Sequence, residues 1–334
     1  MATKVLVPMP DFPKDLPEFE RRFTDEAACM EYLRAQRWPR GFRCPACGHD
    51  RGWTNHRRAV ECQACGHQTS LTAGTVLHGT RQPLRLWFRA MWWVCTQKTG
   101  LSAAGLKRIL GLKSMQTAWT WLQKLRQAMV RLEREPLQGR VEVDEAWLAG
   151  EKPSKGEGWR SALVAVAVEM DPGDGEMGRI RLLDITRSPD RLMLGFIRQE
   201  VFPQATIETD AWPGYEILAG DGYRRVRLAE TDDPAHPLPQ VRRIVTLVRR
   251  WLLGTHQGRV ERRHLQGYLD EFVFRFNRRK SPHVGLLFQR LVSQGTQVQG
   301  RPYRHWAGHD QSGKARPGNR PAGAQKSPAS RRHP

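Results

Sequence analysis

The chain has 334 residues, 39% of them hydrophobic, with 12 Trp and a formal net charge of +20. That is enough length and apolar content for two or three small domains with real cores, and the charge favours a polyanionic partner, nucleic acid ahead of a membrane surface. No apolar run of about 18 residues is present, which excludes a transmembrane span.

The first twenty residues carry acids and prolines and no apolar signal core, so no export signal is expected and the compartment is the cytoplasm. Residues 1–40 form a lead with one short helix, roughly Asp25 to Gln36. Four of the six cysteines follow in residues 41–80, as "CPACGH" and "CQACGH" with fourteen residues between Cys47 and Cys62. In a large cytosolic chain this pattern argues for metal rather than disulfides. Each knuckle turns at its glycine, Gly48 or Gly66, so Cys44, Cys47, Cys62 and Cys65 face one point and complete a closed four-thiolate Zn²⁺ site. Zinc then staples a segment too small to fold alone. Arg43, His49, Arg51, Arg57, Arg58 and His67 surround it, with Arg57 and Arg58 as candidate DNA contacts.

Residues 83–134 read as helical. Trp87, Ala90, Met91 and Val94 keep one face and read as core. Next, Ser102 caps a short helix that runs to Leu110, Gly111 breaks it, and Ser114 caps another. Met115, Ala118, Trp119, Leu122, Leu125, Met129 and Leu132 form the apolar stripe of the second helix. Lys113, Gln116, Thr117, Thr120, Gln123 and Lys124 lie opposite, a candidate helix-turn-helix surface with Lys113, Gln116 and Lys124 toward DNA. An ordinary helical hairpin with a solvated face is the competing reading.

From residue 139 the pattern becomes β-β-β-α-β-α-β: "GRVEVDEAWLAG", "ALVAVAVEM", "RIRLLDITR", the helix after Ser188, "ATIETD", and "YRRVRLAE". In the first strand Asp144 and Glu145 interrupt an apolar alternation, where a buried unpaired carboxylate is expensive. The order resembles the ribonuclease-H-like fold. That resemblance sets Asp144 beside Asp210, just past the fourth strand, as ligands for Mg²⁺, with Mn²⁺ as a substitute. Asp210 before Trp-Pro-Gly also fits a plain turn. Glu142, which alternation puts on the face of Asp144, remains a candidate beside Glu145, Asp184 and Glu208. Residues 238–295 are again helical and complete a core spanning 139–295. The tail, 301–334, has eight Lys and Arg against one Asp and reads as disordered.

The ribbon together with "VEVDEAWLAG", "IETDAWPGY", "RRWLLGTHQG", "HLQGYLDEFVFRFNRR" and "GLLFQRL" resembles the DDE transposases of bacterial insertion sequences with an N-terminal zinc ribbon, the ISXO-two-like group. The resemblance covers roughly residues 20–295. It implies an α/β protein: a ribonuclease-H-like catalytic core behind a zinc ribbon and a helical segment. It also implies a polynucleotidyl transferase that cuts transposon ends and joins a 3′-OH to target DNA with Mg²⁺. Double-stranded DNA, at transposon end and target, is then the partner. A homo-oligomer on DNA and a nucleoid-associated location are expected.

The resemblance also marks a departure. A third active-site residue, Glu in some members and Asn or His in others, precedes a basic residue by seven positions. The basic residue is Arg249, expected to steady a phosphate, and the third position is Arg242. A guanidinium stays protonated and is no metal ligand. His236, Asp232, Asp233 and Glu261 are nearby substitutes. His256 in "GTHQG" reads as a loop cap or a DNA contact, and Asp270 and Glu271 as surface acids. A catalytically decayed copy acting only as a zinc-dependent DNA-binding protein, and a nuclease for RNA or DNA junctions, are the competing functions.

Overall fold

The computed structural model describes residues 11–131, 133–149, 158–171, 173, 175–228 and 238–306. Asp232, Asp233, His236 and the tail beyond residue 306 lie outside the described residues. Helix α1 (Leu16–Arg22) starts where Asp15 Oδ1 accepts the Glu18 N–H at 2.8 Å, and α2 (Glu26–Arg37) where Asp25 caps Ala28 in the same way. The sequence reading has only the second. The first carries its own signal, a capping Asp followed by Pro and Glu.

The paired-cysteine segment forms an antiparallel sheet of β1 (Gly52–Asn55), β2 (Ala59–Cys62) and β3 (Gln68–Ser70). Three helices follow, α3 (Leu84–Thr96), α4 (Ala103–Leu110) and α5 (Met115–Ala128). Ser102 and Ser114 accept the Gly105 and Gln116 N–H groups, both at 3.1 Å, and Gly111 closes α4 in the left-handed conformation.

The second sheet comprises β4 (Arg140–Trp147), β5 (Leu163–Met170), β6 (Met177–Asp184), β7 (Thr206–Thr209) and β8 (Arg224–Arg227), in the order β6-β5-β4-β7-β8. The pairs β4–β5 and β5–β6 are antiparallel; β4–β7 and β7–β8 are parallel. Helix α6 (Pro189–Glu200) links β6 to β7, and a 3-10 helix, Pro213–Ala219, stands where the pattern suggests a second α-helix. Strand β5 is covered on both faces, which is why its sequence is a continuous apolar run. Val164, Val166 and Val168 pack against α7 (Pro239–Gly254) and α8 (Leu265–Phe276). On the other face Val141, Val143 and Ala165 meet Met193, Phe196 and Ile197 of α6.

Helix α9 (Val284–Gly295), which the sequence reading assigns to the 139–295 core, packs elsewhere. Its Leu287, Phe288, Leu291 and Val292 join the core built from the ribbon and α1 to α5. Phe288 lies among the rings of Phe19, Phe23, Phe88 and Trp92. Gly285 is required there, because a Cβ would fall 1.5 Å from the Pro13 carbonyl oxygen. The compact unit ends at Arg301; beyond it one helical turn, Tyr303–Trp306, is described.

Burial corrects several sequence readings. Lys113 and Gln116 are exposed, but α5 is covered on all sides from Trp121, where α3, α8 and α9 meet it. Lys124 is therefore not a DNA-facing residue: its Nζ donates to the His78 carbonyl at 3.1 Å, above the Trp87 ring. Gln123 is buried beside it, whereas Met115, placed on the apolar stripe, is exposed. Glu271, read as a surface acid, is 1% exposed and accepts Arg126 Nε at 2.8 Å. Asp270 is half-buried and accepts from Gln266. Arg126 is itself 2% exposed, so this is a desolvated ion pair tying α5 to α8. Removing one partner strands the other charge. Glu271→Ala should cost about 3–5 kcal/mol in urea unfolding, and the apolar double variant Arg126→Met/Glu271→Leu should recover most of it.

Candidate functional site

Two chemical sites emerge. In the ribbon, Gly48 (φ 77°) and Gly66 (φ 68°) turn the two knuckles through the left-handed region. The knuckles repeat each other: Cys44 N–H to His49 O and Gly48 N–H to Cys44 O, then Cys62 N–H to His67 O and Gly66 N–H to Cys62 O. They bring four Sγ atoms within 4.8 Å of one another, with Cys44–Cys65 and Cys47–Cys62 both at 3.6 Å. A tetrahedral zinc site with bonds of about 2.3 Å has edges of about 3.8 Å, so the donor set fits Zn²⁺. Around it, Arg57 is exposed at the tip of the β1–β2 hairpin. Arg58 is not a free DNA contact: it donates to Gln82 O at 3.0 Å and pairs with Glu26 at 2.9 Å, tying the ribbon to α2 and α3.

The carboxylates sit where β4 and β7 run parallel. The register pairs Glu142 with Glu208. Asp144 lies two residues further along β4, and Asp210 directly follows β7, close enough for its charge to act on the Asp144 carboxyl. The two glutamates are neutralised by the protein. Glu142 Oε2 accepts the Gln240 and Val241 N–H groups at 2.9 and 3.1 Å, and so caps the positive end of α7. Glu208 pairs with Arg140 at 2.8 Å. Glu142 is thus a helix anchor. Asp144 is 5% exposed, and burial followed by the charges of Glu145 and Asp210 pushes its carboxyl up to about 8. Such crowding is what a bound cation relieves, and hard carboxylate oxygens suit Mg²⁺. Among the described residues the cysteines are the only set of three or more metal-ligating side chains this closely grouped. The aspartates are a pair.

Other residues hold this pair in place. Asp210 Oδ1 accepts the Trp212 N–H at 3.0 Å, so it also starts a turn. Arg225 of β8 donates to Thr209 Oγ1 at 3.0 Å and to the carbonyls of Asp210 and Trp212 at 3.1 and 3.3 Å. The Tyr215 hydroxyl donates to Glu145 Oε2 at 3.1 Å. Burial, ahead of the neighbouring Asp210, raises the Glu145 carboxyl. Sequence reasoning missed Arg225 and Tyr215, because nothing in a strand of alternating arginines singles one out. Asp184, another candidate, accepts from the Thr186 N–H and hydroxyl through its carboxylate, while its backbone N–H donates to Gln266 Oε1 at 2.9 Å.

Capping by Glu142 fixes the rotation of α7. Arg242, one turn in, is exposed. Arg249 is half-buried, donates Nη2 to the Trp147 carbonyl at the end of β4 (2.9 Å), and keeps Nε without a partner among the described residues. Glu261 is exposed and paired with Arg263 at 2.7 Å. His256 is not turned outward: it lies between the rings of Trp251 (4.7 Å) and Tyr268 (4.8 Å). Burial, then Arg126, pulls its pKa down to about 4.

Comparison with known families decides what this arrangement belongs to. Residues 136–277 match the family model of the ISXO2-like transposase domain, and residues 24–68 match that of the transposase zinc-ribbon domain. The chain belongs to the ISXO2-like transposases. No curated protein sequence matches it. The match of the transposase domain stops at the end of α8, before the helix that packs with the ribbon core. In this transposase no helix among the described residues is long and apolar enough to cross a membrane. Its four-cysteine cluster and zinc-ribbon match support a structural Zn²⁺.

Two outcomes are expected of the transposase in solution. Metal analysis should find about one zinc per chain, lost in Cys62→Ser. Chelation should lower Tm of the whole N-terminal core, because Cys44 and Cys62 are part of it. Separately, the folded protein refuses the His256 proton that the unfolded chain accepts. Stability should fall as pH drops from 6.5 towards about 4, and less steeply in His256→Phe, as thermal melts will report.

Proposed function

We propose that this transposase cuts the ends of an insertion sequence and joins the freed 3′-OH to target DNA. The observation that carries the reading is the parallel pairing of β4, which holds Asp144, with β7, which Asp210 directly follows. Three antiparallel strands followed by α6 and two parallel strands support a ribonuclease-H-like core. Asp144 and Asp210 are the residues that would hold Mg²⁺, or Mn²⁺, which supplies positive charge to polarise the phosphodiester and acidify water. Asp144, at the middle of the sheet, presents its carboxylate from a rigid strand. Arg225 and Tyr215 keep the Asp210 loop from drifting. Arg249, held on the Trp147 carbonyl, has donors left to steady a phosphate. In the first step water attacks the end phosphate and the bond to the 3′ oxygen breaks. In the second, the 3′-OH attacks a target phosphate and a target 3′ oxygen leaves.

Double-stranded DNA is the partner, met by the exposed Arg57, Lys113 and Gln116. Two ends must be handled in one event, so the chain works as a homo-oligomer on DNA, in the nucleoid-associated cytoplasm. The domains are proposed as a ribbon near 41–80, a helix-turn-helix segment within 83–134 and a catalytic core from 139. One observation favours a second reading, a DNA-binding protein without catalysis: the third active-site position holds Arg242, whose cation repels metal.

The test uses zinc-loaded protein and labelled duplex carrying the element's terminal inverted repeats, in Mg²⁺ and in Mn²⁺. Wild type should nick at the ends, and Asp144→Ala and Asp210→Ala should fall to background while still binding. Nicking that persists in Asp144→Ala overturns the assignment. Binding without products, rescued by Arg242→Glu or Arg242→Asn, establishes the second reading.

A further inference from the structure

A groove of about 1110 Å³ lies away from the paired aspartates, between the α3–α4 loop, the second half of α7, the end of α8 and the start of α9. No Asp or Glu lines it. Its cations fall into two groups. Arg275 and Arg279 are used by the fold: Arg275 donates to the carbonyls of Val94, Gln97 and Lys98, and so covers the negative end of α3. Arg279 donates to the carbonyls of Met177, Gly178 and Phe276. Lys98, Arg108, Arg250 and Arg278 have no carboxylate partner among the described residues.

Arg278 is the most telling. Its Nη1 donates to Phe274 O at 2.9 Å, and its Nε is buried without a partner. Burial, with Arg290 next in weight, pulls its pKa down to about 10. The guanidinium lies over the Phe274 ring, 4.1 Å from its centroid, and a half-buried cation with no carboxylate partner among the described residues can take an anion.

The remaining wall is aromatic. Trp251, Phe272 and Phe276 are only partly covered by the core beneath and turn their remaining surface to the groove. Phe272 and Phe276 lie nearly parallel, 19° apart, with centroids at 6.0 Å, and Trp251 is 5.8 Å from Phe272. Cations that follow a backbone beside aromatic faces that accept any base are the recognition chemistry of single-stranded nucleic acid.

From this, we infer that the groove binds a single DNA strand, its phosphates on Lys98, Arg108, Arg250 and Arg278 and its bases against Trp251, Phe272 and Phe276. It joins Arg108 on α4, in the helix pair, to α7, the helix whose start is anchored beside Asp144. A strand separated at a transposon end therefore has a charged path between them. This rests on the proposed function for the source of the strand, and not for its binding.

The test measures binding of a fluorescein-labelled 20-nucleotide mixed-sequence DNA strand, and of its duplex, by anisotropy at several salt concentrations. The protein is full-length, zinc-loaded and free of Mg²⁺, so cleavage plays no part. Lys98→Ala/Arg108→Ala/Arg250→Ala removes exposed, unpaired side chains and should fold normally. It should bind the strand at least tenfold more weakly, and its log–log salt slope should be shallower by about 2, at about 0.7 for each phosphate lost. A 5-iodouracil strand should cross-link by light to Trp251, Phe272 or Phe276. Equal affinity and slope for wild type and triple variant overturn the inference, as do cross-links confined to other segments. Loss of duplex binding with strand binding unchanged overturns it in favour of a duplex. If end cleavage is absent in Mg²⁺ but the strand still depends on these residues, the proposed function fails and the groove stands.

Discussion

Four carboxylates gather where β4 and β7 run side by side, and the rest of the transposase domain is organised around that concentration of negative charge. Glu142 and Glu208 are opposite each other in register, yet both are satisfied from within: one by the first N–H groups of α7, the other by Arg140. That solution does structural work. A carboxylate on a central strand holding a helix N-terminus sets where α7 begins, and a helix 16 residues long carries that placement to its far end. Arg249 meets the Trp147 carbonyl, and Trp251 and Thr255 reach the Thr99 carbonyl in the α3–α4 loop. Asp144 within β4 and Asp210 just after β7 carry the remaining charge, and the proposed chemistry rests on them.

The molecule separates rigidity from exposure. The N-terminal core gathers α1 to α5, the ribbon and α9, so zinc supports more than a small appendage. Two buried ion pairs brace the assembly, Arg126–Glu271 between α5 and α8 and Arg181–Glu200 between β6 and α6. Such pairs cost desolvation on folding and specify position in return. Cations left over from these tasks lie at the surface, which is where a chain with a net charge of +20 meets a polyanion.

Arg242 keeps the catalytic reading open to experiment on one defined point. It lies on α7 seven residues from Arg249, on the exposed side of a helix whose other side is fixed by Val241, Ile244 and Val248. In the proposed mechanism this is the third ligand position, and a guanidinium there has the wrong charge to hold a metal.

The zinc site was determined by sequence alone, because four thiolates at short fixed spacings with a glycine in each knuckle have few ways to meet. So were the five strands of the larger sheet and the caps at Ser102 and Ser114, since these depend on local periodicity and on side chains adjacent to the backbone they satisfy. Family resemblance, more than spacing, singled out Asp144 and Asp210. Only tertiary structure decided which polar residues face water. Lys124 and Glu271 have the composition of surface residues and are buried, because elements distant in sequence cover them. Arg58 and His256 were claimed by neighbours no local pattern reveals. The role of Glu142 and the partnership of α9 with the ribbon core were likewise invisible in sequence. Each joins segments about a hundred residues or more apart, and only the closed fold makes them neighbours.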